Sequence, residues 1–444
     1  MAYLLDLFYL LALIVASPWL LFKALTTGKY RRGVGDKFFG LFQPVPDSPC
    51  LPVSLSRRLR RAWFHGVSVG EIHLLRQVVA RFRQAHADWS CVISTTTDTG
   101  HEEARRQFPD LPVIFWPLDF SWAVRRTMRM IDPALVVLAE GELWPNFMHL
   151  ARKRRLPVAV VNGRMSPRSF RRYHAFRSFL RPIFKHLDLA AVQTDEYAHD
   201  FRVMGVRVDR VHVTGSVKYD GVTTERGNPR TRALASLLNV QAADVVWVAG
   251  STQAPEEQIV LDIFRRIRTE QPNLRLFLVP RQKERFEEVA GILRRSGLLF
   301  LRRSELKEPV RDRSAVILVD TIGELGALWG LADVAFVGGS LDGKRGGQNM
   351  IEPAAYGAAV VFGPHVWNFH DAAARLVESS AALQVTDADG LETVVRRLLD
   401  DPRERQRLGA AAQQLVRSQQ GATQRTIECL DRLIGASGQS EHAA

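Results

Sequence analysis

Cysteine is scarce in this chain: Cys50, Cys91 and Cys429 are the only three in 444 residues, odd in number and far apart. Without CxxC spacing they exclude a disulfide framework and a thiolate zinc site, and they fit a reducing compartment. The twelve histidines contain no HExxH or paired metal-ligand spacing, so neither a metal nor a cofactor is expected. No GxxxxGK[ST] loop occurs and no GxGxxG follows the first strand, which removes the main support for kinase, ATPase and ordinary dehydrogenase readings. Acidic residues are short in one half only. Residues 1–220 hold 32 Lys and Arg against 19 Asp and Glu, whereas residues 221–444 hold 28 of each.

The net charge of +13 therefore lies wholly in the first half. It gathers in runs: Arg57, Arg58, Arg60 and Arg61; Arg152 to Arg155; Arg164, Arg168, Arg171 and Arg172. Single runs read as solvated helix faces, but an asymmetry of a whole half points to a polyanionic partner: nucleic acid, anionic lipid or a phosphorylated substrate. Hydrophobic content of 46% is that of a globular protein, and the length suits two to three domains.

Leu4 to Leu25 is nearly continuous apolar sequence, broken by Asp6, Pro18 and Lys23. It lacks the basic start and A-x-A site of a cleaved signal peptide. An uncleaved anchor is expected, as a single span or as a helix lying in the interface, with a buried core helix as the alternative. Lys23, Lys29, Arg31 and Arg32 follow, and by the positive-inside rule the rest of the chain is expected on the cytoplasmic side.

Beyond the anchor, short apolar runs alternate with amphipathic stretches. Strands are expected at 62–65, 91–95, 113–116, 135–139, 158–161, 189–192 and 211–214, then at 245–249, 274–279, 316–319, 334–337 and 360–362. Helices between them, such as 72–85, 146–155, 256–269, 283–295 and 371–378, argue for parallel sheets covered on both faces. The polar stretch Asp220 to Thr231 is the natural linker. The expected organisation is an anchor over 1–25, a doubly wound domain over 26–220, a second over 221–435 and a frayed tail over 436–444. Ligands in such sheets bind at the carboxyl ends of strands, here facing a cleft.

Several motifs fall at those strand ends. Gly346 to Pro364 (GGQNMIEPAAYGAAVVFGP) follows the run Val334–Val337: paired glycines before a helix start suit an anion, and Glu352 could hold a ribose hydroxyl. His65 to Glu71 (HGVSVGE) puts Glu71 at a helix start, where a carboxylate can serve as general base or simply complement the helix dipole. Glu140 to Asn146 (EGELWPN) places two acids at a strand end, and Gly215 to Asp220 (GSVKYD) offers Lys218 to a phosphate or carboxylate. GSTQAPEE at 250–257, VPRQKERF at 279–286 and DTIGEL at 320–325 are further strand-end loops, and together they suggest a nucleotide pocket.

In this order across nearly the whole chain, these motifs resemble the 3-deoxy-D-manno-octulosonic acid (Kdo) transferases of lipopolysaccharide synthesis. The resemblance implies a GT-B fold, with two Rossmann-like domains. The first would take a lipid A precursor such as lipid IVA as acceptor, and the second CMP-Kdo as donor. Carried onto this sequence, it makes Glu71 the general base and has Glu140 and Lys218 help stabilise the transition state. Pro280 and Arg281, then Ile322, Gly323 and Glu324, then Asn349, Met350, Ile351 and Glu352 would contact CMP. The chain departs from the commoner pattern at Gly141, at Gln253 to Pro255, at Gln282 and Lys283, and at Gln348 and Met350. The alternative is another GT-B glycosyltransferase or an epimerase using a UDP-sugar. A membrane-tethered nucleic-acid-binding protein would leave the pocket loops unexplained.

Overall fold

The computed structural model describes residues 2–27, 33–41 and 59–442. Cys50, Lys29, Arg31, Arg32, Arg57 and Arg58 lie outside the described residues. The chain divides into two compact units, one of residues 1–220 with 420–444 and one of residues 221–419.

In the first unit seven strands form one parallel sheet: β1 (Arg60–His65), β2 (Trp89–Thr95), β3 (Val113–Phe115), β4 (Leu135–Ala139), β5 (Val158–Gly163), β6 (Leu189–Val192) and β7 (Val211–Val213). Their spatial order is β3-β2-β1-β4-β5-β6-β7. Runs such as Leu135–Ala139 are apolar at every position because helices cover both faces. One face packs Trp63, Trp116, Phe147 and Phe201; the other packs Phe64, Ile72, Leu75 and Phe82.

The second unit repeats the plan with β8 (Val245–Thr252), β9 (Leu274–Pro280), β10 (Phe300–Arg302), β11 (Val316–Leu318), β12 (Val334–Val337), β13 (Ala359–Phe362) and β14 (Ala382–Gln384). The order is β10-β11-β9-β8-β12-β13-β14, again parallel throughout. The twelve expected strands are all present. The two unexpected ones, β10 and β14, are three-residue sheet edges. Phe300–Arg302 is only partly buried along its length and Ala382–Gln384 is buried only at its first residue, so neither carries an apolar run.

The C-terminal segment corrects the expected boundaries. The helix Ala422–His442 belongs to the first unit, not the second, and it extends past residue 436 as far as His442. Its Ala422, Ile427, Cys429 and Leu430 complete the apolar layer over Ile72, Val79 and Phe82. Asp220 fixes its start, accepting the N–H of Gly421 at 2.6 Å and of Thr423 at 2.5 Å. Arg425 Nε donates to the Thr214 carbonyl at 2.8 Å. The buried face of an amphipathic helix does not reveal which core it enters.

At the other end, Ala2–Thr27 is a helix containing Pro18. Among the described residues no helix is long and apolar enough to cross a membrane. Asp6 faces inward and is 4% exposed. Its carboxylate accepts Ser121 N–H at 2.8 Å, Ser121 Oγ–H at 2.5 Å and Asn146 Nδ2 at 3.1 Å. One turn on, Tyr9 donates its hydroxyl to Asp119. Leu4, Phe8, Ile14, Val15, Trp19 and Phe22 face outward, exposed.

Candidate functional site

In the first sheet the strand order reverses between β1 and β4, and the crevice at such a switch point is where doubly wound folds take ligands. Glu71 follows β1. The turn Gly66–Ser68 leads into the helix Val69–Ala85, and Ser68 caps it by accepting Glu71 N–H at 3.4 Å. The Ser68 hydroxyl donates to Glu71 Oε1 at 2.8 Å, and Val67 N–H donates to Oε2 at 2.9 Å. Glu71 thus stands three residues after the cap, its carboxylate held by the Ser68 hydroxyl and the Val67 N–H.

Glu140 and Glu142 follow β4 on the other side of the switch. Burial pushes the Glu71 carboxyl up to about 7; the two hydrogen bonds oppose this, and the charges of Glu140 and Glu142 add to it. Glu142 is also raised, first by burial and then by Glu140. A carboxyl that titrates near neutrality can accept a proton from a hydroxyl and release it again.

Glu140 itself is ion-paired. It sits in a left-handed conformation with φ 59°, and Gly141 follows with φ 118°. That kink turns its carboxylate toward Arg164 Nε at 2.7 Å and Lys218 Nζ at 3.4 Å. The structure therefore brings Glu71, Glu140 and Lys218 together, from loops 69 residues and more apart. Arg164, which the sequence reading had placed only in a basic run, joins them; its position just after Asn162–Gly163 at a strand end was the available signal. His65, at the end of β1, is not a proton carrier. Burial drives it down to about 3, and it stacks on Trp116 with ring centroids 4.0 Å apart.

In the second sheet the reversal lies between β8 and β12. The loop after β12 has the expected glycine turns, and the backbone donors of its first turn, Gly339 to Leu341, are already engaged. Glu256, 1% exposed, accepts the N–H groups of Gly339 at 2.7 Å, Ser340 at 2.9 Å, Leu341 at 3.1 Å and Gln253 at 3.0 Å. Gly347 N–H goes to the Gly339 carbonyl. The anion filling the turn Gly339–Leu341 is the protein's own glutamate, and the paired glycines Gly346 and Gly347 lie further along the loop. Gly346 is required for a different reason: with φ +79°, a Cβ there would lie 2.2 Å from Trp367 Nε1.

The predicted donor residues gather at these strand ends. Pro280 closes β9, and Arg281 Nε donates to Gln348 Oε1 at 3.1 Å. Asn349 caps the short helix Ile351–Ala355 through Oδ1, and its Nδ2 donates to Glu352 Oε1 at 2.9 Å. Burial raises the Glu352 carboxyl, while Asn349 and the Arg281 charge lower it. Met350 and Ile351 are 0% and 1% exposed, so their side chains belong to the core, and the Ile351 N–H is already taken by Asn349. Ile322 is exposed and Gly323 has φ +90°. Glu324 is held by Arg303 Nη2 at 2.6 Å and by the Thr321 hydroxyl. In the GST loop the Thr252 side chain is fully buried, so it offers no hydroxyl to a phosphate.

With that geometry in view, comparison with known proteins decides the family. Residues 38–221 match the family described as 3-deoxy-D-manno-octulosonic-acid transferase (kdotransferase). The 3-deoxy-D-manno-octulosonic acid transferase of Haemophilus influenzae is 32% identical over 432 residues, 95% of this chain and 97% of that one. The chain belongs to the Kdo transferase family. The Kdo transferase of Chlamydophila psittaci is 33% identical over 435 residues, 97% of this chain and 96% of that one. Kdo transferases are glycosyltransferases, and the two-sheet plan agrees. A UDP-GlcNAc 2-epimerase from Neisseria meningitidis, solved with UDP-GlcNAc, superposes with a TM-score of 0.56, covering 84% of this chain and 100% of that one. At 10% identity that likeness shows the GT-B-like fold alone. The fold is common to Kdo transferases and to the UDP-sugar alternative; whole-length identity separates them.

Proposed function

We infer that this chain transfers Kdo from CMP-Kdo to a lipid A precursor of the lipid IVA type. Glu71 takes the proton from an acceptor hydroxyl as its oxygen attacks the anomeric C2 of Kdo. The bond from C2 to the phosphate oxygen breaks, and CMP leaves from the opposite face. The displacement inverts the centre, uses no covalent enzyme intermediate and calls on no metal ion. Glu140 and Lys218 stabilise the charge that develops, with Arg164 holding Glu140 in place. Pro280, Arg281, the loop Ile322–Glu324 and the segment Asn349–Glu352 hold CMP.

The observation that carries this reading is Glu71: a carboxyl held by two donors, raised to about 7, at the switch point of a chain related over its length to Kdo transferases. A group that was merely dipole-complementing would sit solvated beside its helix, without two further carboxylates facing it.

Attachment to the cytoplasmic face of the inner membrane is part of the same reading. It is supported by the exposed apolar face of the helix Ala2–Thr27 and by exposed Phe176 and Phe179, which lie among exposed Arg171, Arg172, Arg177 and Arg181. A helix latched through Asp6 lies along the interface, where the basic residues meet anionic headgroups and the acceptor's phosphates.

The test is incubation with CMP-Kdo and a tetraacylated lipid A precursor, followed by mass spectrometry. Addition of one or more Kdo masses is expected, and an unmodified acceptor overturns the reading. Isothermal titration should show binding of CMP over UDP; preference for UDP favours the UDP-sugar alternative.

A further inference from the structure

The carboxylate of Glu71 is held by two donors, and those donors flank a single peptide bond. Val67 N–H reaches Oε2 and the Ser68 hydroxyl reaches Oε1. The Val67–Ser68 peptide is planar by resonance and ends in the two Cα atoms that carry these groups. Where that plane sits decides where the carboxylate sits.

The plane is pinned from another strand. Thr95, the last residue of β2, donates its hydroxyl to the Val67 carbonyl at 3.2 Å. Thr97, two residues on, donates to the same oxygen at 3.0 Å. A carbonyl oxygen has two lone pairs, and here two hydroxyls meet them. Thr97 has a second duty: its oxygen accepts Gly100 N–H at 3.1 Å and caps the helix Asp98–Gln107. Thr95 has no helix to cap. It is buried in the sheet, and its hydroxyl crosses to the loop after β1. Gly100 closes the cluster. A Cβ there would lie 2.5 Å from Thr95 Oγ1, 2.7 Å from Thr97 Oγ1 and 3.2 Å from the Val67 oxygen, so the helix start leaves room for the three oxygens and no more. Gly66 does the same on the other side of the loop, where a Cβ would come within 3.1 Å of Glu71 Cβ.

We propose that Thr95 and Thr97 are positioning residues: by fixing the Val67–Ser68 peptide they hold the Glu71 carboxylate in the attitude in which it accepts the proton. This rests on the role given to Glu71 above. The charges around Glu71 stay as they are when one of these hydroxyls is removed. Glu140 and Glu142 face it, Glu140 is paired with Arg164 and Lys218, and Asp98 beside Thr97 is paired with Lys37 at 3.4 Å. What changes is the pair of hydrogen bonds from Val67 and Ser68, which favour the ionised form and work against burial. Loosening them lets the carboxyl rise further.

The test is Thr95→Val in the full-length chain, which keeps the β-branched shape and removes the hydroxyl, with Thr95→Ser to restore it. In protein with isotopically labelled glutamate carboxyl carbons, the NMR resonance lost in Glu71→Gln reports on Glu71. Its midpoint should move up by roughly half a pH unit in Thr95→Val and return in Thr95→Ser. The turnover number for Kdo transfer should fall about three- to tenfold, the acid limb of kcat/KM should move with the midpoint, and KM for the acceptor should stay put. In a Glu71→Gln background Thr95→Val should cost no further transfer, because the group it positions is gone. Thr97→Val, at an exposed position, applies the same test without disturbing the sheet and covers the case in which Thr95→Val fails to fold. An unmoved midpoint in both variants overturns the proposal. So does an equal loss of transfer with and without Glu71→Gln, which would make the hydroxyls general supports of the fold. If the midpoint moves but the unaltered chain transfers no Kdo, the function reading fails and the positioning of Glu71 stands. If Kdo is transferred and neither the midpoint nor kcat moves, the reverse holds.

Discussion

Glu71 and Glu256 occupy corresponding places: each follows the first strand of a seven-stranded parallel sheet, in the first turn of the next helix, beside the strand where the order reverses. Burial raises both carboxyls. What the neighbouring loop supplies then separates them. The loop after β12 offers Glu256 the N–H groups of Gly339, Ser340 and Leu341, and Gln253 adds a fourth. The loop after β4 offers Glu71 two more carboxylates, while only Val67 and Ser68 donate to it. Four donors make a glutamate part of the scaffold; two donors and like charges leave it ready to exchange a proton. One architecture has put the carboxylate proposed as general base on the first sheet, and on the second has used the equivalent one to fix the glycine loop beside the residues proposed to hold CMP.

This contrast can be broken in order of effect. Glu71→Gln should lower Kdo transfer by roughly 10²–10⁴-fold, the range of a lost general base, with CMP affinity by isothermal titration unchanged. Near-normal turnover would remove Glu71 from its role. Glu256→Ala should leave activity measurements secondary to a collapse in stability. Four buried N–H groups lose their acceptor, at a cost of about 3–5 kcal/mol in urea unfolding; a change under about 1 kcal/mol would show the nest to be dispensable.

Stability should move the other way at Glu71. Its carboxyl is at about 7 when folded against 4.5 for the ordinary group. The stability this contributes is fully present below pH 4.5 and is lost as pH rises through about 7. Glu71→Gln should therefore stabilise the protein at pH 8 by on the order of 1–2 kcal/mol and have little effect at pH 5, as read by thermal melts at the two pH values. The smallest effect concerns Arg164. With Glu71 ionised for catalysis, kcat/KM should rise through about pH 7. Arg164→Gln removes one ion pair from Glu140, so it should move that limb upward by roughly half a pH unit. An unmoved profile would mean that Arg164 is only a surface charge.

The central strands were legible because every position is apolar where both faces are covered, and the edges Val113–Phe115 and Val211–Val213 were legible too; Phe300–Arg302 and Ala382–Gln384, largely unburied, were not. Strand ends, read from the same runs, located Glu71, Glu140, Lys218, Arg281 and Glu352. The role of Glu256 was not legible, since its four donors come from a loop more than 80 residues away and from a turn whose pattern names no acceptor. Glu256 fills the turn Gly339–Leu341 and not the paired glycines Gly346 and Gly347, where the sequence led us to expect an anion.

By itself, then, the sequence determined the periodicities, hence two parallel α/β sheets, the strand-end loops that carry polar residues, and the family to which their order belongs. These are local properties, set by neighbours a few positions apart. Tertiary structure alone decided that Ala422–His442 returns to the first unit, that Asp6 latches the N-terminal helix, and that Arg164 meets Glu140. It also decided which of two equivalent glutamates stays free to move a proton. Each of these depends on which distant groups reach a buried charge, and a carboxylate's chemistry is fixed by those partners rather than by its neighbours in the chain.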